Sequence, residues 1–341
     1  MKSITQRPTI VDVARHAGLS KSTVSRVLQG DAPVSRRSEE RVWRSIAALG
    51  YEQNAVASSL RTDRTWMVMV ITPDITNPFW AAVARGAQDR LETAGYSVVL
   101  ANSDWDATRE TQFLSTARRN RFDALLINPT VVTAPELLAT GTPTVLLGMR
   151  NDLPDFDNVG SDTYGGVQLA LTHLYQLGHR RIGFIRGQHK SGRGLSRQQA
   201  YQDFLAAHAL PFDPTLIVEV PYELERGAQA ADHLLGNEVP PTAIFAANDL
   251  LAIGAMHAAH ERGLAVPHDL SIVGMDDIDA AAMTLPGLTT VAKPKYEIGR
   301  QAATFLLERV EQATIPAARR LFMSCHLVVR GSTAAPRFGV A

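Results

Sequence analysis

Apolar residues first recur with helical spacing at Ile10, Val13, Ala14 and Ala17, which share one face at i, i+3, i+4 and i+7. Thr9 stands where an N-cap belongs, Asp12 favours the positive end of the first turn, and Gly18 ends the run. Ser20 then caps a second stretch, K-S-T-V-S-R-V-L-Q-G. Val24, Val27 and Leu28 make its apolar face, while Lys21, Ser22, Ser25, Arg26 and Gln29 share the other. A third helix follows Pro33, capped by Ser35, carrying Val42, Ile46 and Leu49, and closed by Gly50. Two short helices joined by a tight glycine turn, with a third to close the core, predict a helix-turn-helix head over residues 1–53. The polar face of the second helix has the residue types that read base edges and phosphates in a major groove. A helical hairpin with a solvated polar face would show the same periodicity.

From Trp66 the pattern changes to apolar runs alternating with amphipathic stretches. Strands are predicted at Met67–Ile71, Ser97–Ala101, Ala124–Asn128 and Thr144–Leu147, then at Arg181–Ile185, Leu216–Val220, Ala243–Ala246 and Ser271–Val273. Helices are predicted between them, near Phe79–Thr93, Thr108–Arg119, Pro135–Ala139, Tyr164–Leu177, Ser196–His208, Glu223–Leu235 and Asp249–Arg262. Strands without period-2 alternation are buried on both faces, as in parallel sheets. Residues 66–331 therefore read as two doubly wound α/β lobes, where ligands bind beyond the carboxyl ends of the strands. The chemically rich segments follow those ends: P-D-I-T-N-P-F-W, N-S-D-W-D, G-Q-H-K-S-G-R-G-L-S-R, A-A-N-D and G-M-D-D. Asp, Asn and Arg beside Trp and Phe suit a sugar or similar polar metabolite.

Composition sharpens this in three places. At 341 residues, 45% hydrophobic and 20% charged, the chain is an ordinary globular one of two or three domains. Its net charge of zero hides a split: residues 1–64 hold 11 Lys and Arg against 6 Asp and Glu, +5, and the rest hold 23 against 28, −5. A basic head on an acidic body suggests an anionic partner for the head. One cysteine, Cys325, no membrane-length apolar run and no signal-peptide core favour a cytoplasmic protein.

The string T-I-x-D-V-A-x-x-A-G-x-S-x-x-T-V-S-R-V-L, then V-S and a helix ending in L-G-Y, closely resembles the head of the lactose-repressor/galactose-repressor family of bacterial transcription regulators. The resemblance continues through V-G-S-D-x-x-x-G, L-G-H-R-R-I-G-F-I, F-A-A-N-D and V-P-x-D-L-S-I-V-G-M-D-D to about Gly331. It implies an all-α head on a periplasmic-binding-protein-like core, with lobe crossings near Asp162, Thr290 and Leu321 and a C-terminal tail, 332–341, read as frayed. It places Lys21, Ser22 and Arg26 at base-reading positions and Thr23 and Ser35 at phosphates, with Thr9, Ser25 and Gln29 also on the DNA. It makes N-A-V-A-S-S-L the hinge helix of a 54–65 linker, with Asn54 as its cap, Ala57 close to the minor groove and Leu60 the wedge between base steps. In the cleft it implies ring stacking by Phe79 and Trp80 and a grip by Arg197 opposite Asp276. Asp74 stands at the rim, Asn248 and Asp162 line the cleft, and Tyr222 forms an aromatic wall. Partners implied are double-stranded operator DNA, a second copy of the chain and a small effector, commonly a sugar. Repression is the commoner mode.

Two rival readings fare worse. A sugar-binding transport protein would need a signal peptide and would not carry the head. An enzyme would need a signature such as G-x-S-x-G, G-x-x-x-x-G-K-[ST] or H-E-x-x-H, and the sequence has none. His257 and His260 sit three apart among alanines, the acids Asp276, Asp277 and Asp279 lack metal-ligand spacing, and Cys325 reads as packing in a final strand. No metal or cofactor is expected.

Overall fold

The computed structural model describes residues 8–30, 34–52, 64–188, 196–311 and 317–337. The chain divides into two compact units, residues 1–65 and 66–341.

The head is built from α1 (Ile10–Ala17), α2 (Lys21–Gln29) and α3 (Arg36–Leu49). Each starts on a hydroxyl that takes a backbone N–H: Thr9 with Asp12, Ser20 with Thr23 and Ser35 with Ser38. Thr9 and Asp12 also complete a capping box. Gly18 takes a left-handed φ of 60°, which lets the chain turn within three residues from α1 into α2. Val13, Ala14, Val24 and Val42 form the core, with Ile10, Val27, Leu28 and Ile46 packed around it.

The larger unit holds two six-stranded sheets. In order along the chain the first lobe supplies β1 (Met67–Thr72), α4 (Pro78–Glu92), β2 (Ser97–Asn102), α5 (Ala107–Arg119), β3 (Ala124–Ile127), α6 (Ala134–Leu138), β4 (Thr144–Leu147) and β5 (Asp157–Ser161). The second lobe follows with α7 (Thr163–Gln176), β6 (Ile182–Gly187), α8 (Ser196–Ala207), β7 (Ile217–Val220), α9 (Leu224–Leu235), β8 (Ala243–Ala246), α10 (Asp249–Glu261), β9 (Ser271–Asp276), α11 (Asp279–Met283) and β10 (Thr289–Ala292). Then come α12 (Lys295–Glu311), β11 (Arg320–Met323) and β12 (His326–Val328). The sheet orders are β11-β5-β4-β3-β1-β2 and β12-β10-β9-β8-β6-β7. All pairings are parallel except β12 on β10. The chain thus passes between sheets after Ser161, after Ala292 and after Met323. Apolar cores cover both faces of the first sheet, and one continuous core surrounds the second.

Three features depart from the sequence pattern. D-N-V-G-S has no strand signature, yet it is β5, buried at every position. Its polar residues are matched from a distance: Asp157 pairs with Arg309 and Arg319, each at 2.7 Å. Cys325 lies not in a strand but between β11 and β12, half-buried, its thiol 3.3 Å from the carbonyl of Asp162. The segment after Gly331 is not frayed as far as Arg337. Ser332 is fully buried, accepting from Thr289 N at 2.8 Å and donating to Ile272 O at 2.6 Å, and Arg337 pairs with Asp269 at 2.7 Å. Residues 332–337 are a sewn-on edge of the second lobe.

Candidate nucleic-acid interface and ligand cleft

On the head, Lys21, Ser22 and Arg26 are exposed on α2, while Thr23 and Ser25 are half-buried beside them. Val24 on the opposite face is fully buried and fixes the roll of the helix. Ser20 braces the helix start, accepting from Thr23 N at 3.1 Å and sharing hydroxyl hydrogen bonds with Ser22 at 2.7 Å and Thr23 at 2.8 Å. A rigid helix therefore presents two cations and short hydroxyls outward. The free N–H groups at such helix starts suit phosphate contacts. Thr9 and Ser35, at the starts of α1 and α3, are exposed. Gln29 is the last residue of α2. Asn54, Ala57 and Leu60 lie outside the described residues.

In the larger unit a cavity of about 160 Å³ opens at the carboxyl ends of the strands of both sheets. Lobe one contributes Phe79 and Trp80 after β1, Trp105 after β2, Asn128 to Thr130 after β3 and Arg150 after β4. Lobe two contributes Arg197, Tyr222, Asn248 and Asp276, and Lys293 follows β10. This is the place where parallel sheets expose helix starts and loop ends together.

Each wall is held from behind. The ring of Tyr222 lies so close to Gly187 that a Cβ there would stand 1.8 Å from it. Tyr222 also stacks on Trp105 at 5.5 Å and 22°, an aromatic contact that runs from one lobe to the other. Tyr201, one turn after Arg197, donates its hydroxyl to Ile182 O at 2.7 Å and pins α8 to β6. Arg197 itself reaches the Tyr222 hydroxyl at 3.5 Å, and its buried Nε has no partner among the described residues. Asn248 caps α10 through its oxygen, at 2.9 Å from Leu251 N, and its buried amide nitrogen is unmatched. Asp276, 4% exposed, has φ 121°, and Asp277 next to it has φ 53°. Arg330 and Lys295 hold Asp277 at 2.7 and 2.6 Å, which maintains this strained corner. Nζ of Lys293 lies 3.3 Å from Asp276 and 4.1 Å above the ring of Phe79.

The unmatched nitrogens of Arg197 and Asn248 and the buried Asp276 oxygen are polar groups whose burial is costly until a ligand meets them. Among the described residues no group of three or more His, Cys, Asp or Glu able to hold a metal occurs.

Comparison with known proteins settles the family. The model for "Bacterial regulatory proteins, lacI family" matches residues 9–54, and that for "Periplasmic binding protein-like domain" matches residues 171–333. The HTH-type transcriptional regulator DegA of Bacillus subtilis (strain 168) is 32% identical, the alignment covering 96% of this chain and 98% of DegA. The chain belongs to the LacI family. It is a DNA-binding transcriptional regulator. The lac repressor dimer bound to operator and the anti-inducer ONPF superposes with TM-score 0.86 at 26% identity, over 97% of this chain and all of that one. A complex of the regulator CelR with cellobiose gives TM-score 0.72 at 30% identity, over 96% and 100%. These relatives are regulators, not enzymes.

Within this LacI-family cleft, six of the eight sequence-predicted ligand residues come together: Phe79, Trp80, Arg197, Tyr222, Asn248 and Asp276. Asp74 and Asp162 are not among the residues that line the cavity. Asp74 turns back on its own loop, accepting from Thr76 N at 2.9 Å and Thr76 Oγ1 at 2.6 Å. Asp162 is exposed and caps α7, accepting from Gly165 N at 2.8 Å. A short carboxylate two or three residues before free N–H groups satisfies them locally. Sequence reasoning missed Trp105, although N-S-D-W-D marks the loop, and it missed Lys293, which carries no motif. It also missed two supports. Glu110, fully buried, accepts from Thr130 N at 2.7 Å, Val131 N at 2.9 Å and Val132 N at 3.1 Å. Arg150, 5% exposed, donates to Pro129 O at 2.6 Å and pairs with Asp152 at 2.9 Å.

Proposed function

We propose that this LacI-family regulator is a cytoplasmic repressor that grips a palindromic operator as a homodimer and is switched by a monosaccharide-sized polyol in the cleft. The observation that carries the first half is the outward face of α2, with Lys21, Ser22 and Arg26 exposed on a helix locked by Val24. Lys21 and Ser22 read base edges, Arg26 reads a base or a phosphate, and Thr23 and Ser35 hold phosphates. Thr9, Ser25 and Gln29 support that contact. Asn54, Ala57 and Leu60 add the minor-groove contact, with Leu60 as the apolar wedge between base steps. Two heads are needed for a palindrome. Support for a second copy comes from exposed apolar side chains on the larger unit: Val99 and Leu100 on edge strand β2, Met283 and Leu285, the last 97% exposed.

The cleft supports the second half, because stacking rings beside unmatched donors and a buried acid fit a polyhydroxylated ligand. The related structures carry such molecules: CelR with cellobiose and an Enterococcus faecium LacI-family regulator with bound ribose. A ligand that favours one lobe arrangement shifts operator affinity by its difference in affinity for the two states. A footprint on the DNA upstream of its own gene, run with and without a sugar panel, tests the reading. The expected result is a symmetric footprint whose strength changes with one ligand. Protection without sequence selectivity under every condition would leave a transport-type binding protein as the better reading.

A further inference from the structure

The charge inside the cleft does not balance. Among the described residues three cations line it, Arg150, Arg197 and Lys293, against a single lining carboxylate, Asp276. Arg150 is already neutralised by Asp152, at 2.9 and 3.0 Å. Arg197 has no carboxylate partner among the described residues, and its Nε is buried unmatched. Lys293 and Asp276 face each other at 3.3 Å with side chains only 8% and 5% exposed. Burial lowers the pKa of the Lys293 ammonium, Asp276 opposes this, and the positive charge of Arg197 lowers it again. Two cations thus flank the lining carboxylate Asp276, whose buried neighbour Asp249 holds its proton below about pH 7.

A buried cation without a counter-charge is unfavourable unless a ligand brings one. We propose that the ligand is a sugar acid, a monosaccharide-sized polyol whose single carboxylate lies between Lys293 and Arg197 and whose hydroxyls reach Asp276 and Asn248. Among the described lining residues one positive charge is in surplus, which a carboxylate balances better than a phosphate monoester carrying nearly two negative charges. The cavity, about 160 Å³, also sits below the roughly 300–1,000 Å³ of sites for larger ligands. The flat faces of Trp105 and Trp80 take the apolar side of the ligand.

This inference rests on the cleft being the regulator's ligand site, so binding to the cleft and binding to operator are measured separately. Titration calorimetry on the full chain would compare glucuronate, galacturonate and gluconate with glucose, galactose and glucitol, and with the hexose phosphates. The expected result is binding of at least one acid, with its neutral counterpart weaker by about tenfold or more, as loss of a charge-assisted hydrogen bond implies. Lys293→Gln should weaken the acid by a similar factor, and a far-UV circular dichroism spectrum like the parent's shows that the variant folds. Neutral sugars binding as well as their acids, hexose phosphates binding in preference to the acids, binding by none of the acids, or full acid affinity in Lys293→Gln would each overturn the proposal. A neutral sugar that shifts operator affinity would do so while leaving the regulator reading intact.

Discussion

Asp157 and Asp249 are both buried acids, and their surroundings drive them in opposite directions. Burial alone would raise Asp157, but hydrogen bonds from Arg309 and Arg319 overcome it and hold its pKa at about 2, against 3.8 for an ordinary aspartate. The native state therefore binds fewer protons than the unfolded chain in that window. The stabilisation, about 2 kcal/mol, is present above pH 3.8 and is lost as pH falls towards 2. Asp157→Asn should lower the unfolding free energy at neutral pH by about 3–5 kcal/mol, because the charge facing Arg309 and Arg319 is lost, and flatten the acid limb of the stability curve. An unchanged acid limb would show that another group sets it. In Asp249 burial dominates and nearby Asp276 adds to it, so that despite hydrogen bonds from Thr290 and Ile278 its pKa rises to about 7. Here the native state holds the extra proton. Its contribution is full below pH 3.8 and is lost as pH rises through about 7. Urea midpoints should decline across that range in the parent protein and stay level in Asp249→Asn, whose amide oxygen still accepts from Ile278 N.

At the scale of elements, the head shows how far local chemistry reaches. Its helices are legible because each has a hydroxyl cap, an apolar stripe and a glycine stop, all readable within a dozen residues. Ser20→Ala removes the acceptor for Thr23 N and should cost about 1 kcal/mol in head stability, with weaker operator binding because α2 frays where Lys21 and Ser22 stand. Thermal melts of the head and gel shifts would check both, and an unchanged melt would mean that Ser22 or Thr23 takes over the cap. Strand β5 shows the limit. Its Asp and Asn contradict strand propensity, and they are tolerated in the sheet because Arg309 and Arg319 arrive from more than 150 positions away. The same holds for Ser332, which reads as tail and is sewn between β9 and β10.

For the whole molecule, the stack of Trp105 on Tyr222 joins the rims of the two lobes at the cleft, beside the packing of Ile278 into the first lobe's core. A ligand entering between the lobes displaces or slides these rings, so ligand binding should change tryptophan emission. Trp105→Phe should abolish most of that change although three other tryptophans remain. Emission that responds equally in the variant would place the ligand away from this pair. The sequence by itself determined the head helices, the alternation of parallel strands and helices, and the fact that polar and aromatic residues follow the strand ends. Those follow from periodicity and capping, which act over one or two turns. It also marked Arg197, Tyr222, Asn248 and Asp276 for the cleft. Only the tertiary structure decided that Asp74 and Asp162 close their own turns, that Lys293 and Trp105 face the cavity, and that Arg197 and Lys293 meet one lining carboxylate among the described residues. Facing and charge balance depend on side chains brought together from distant strands, and no local pattern carries that information.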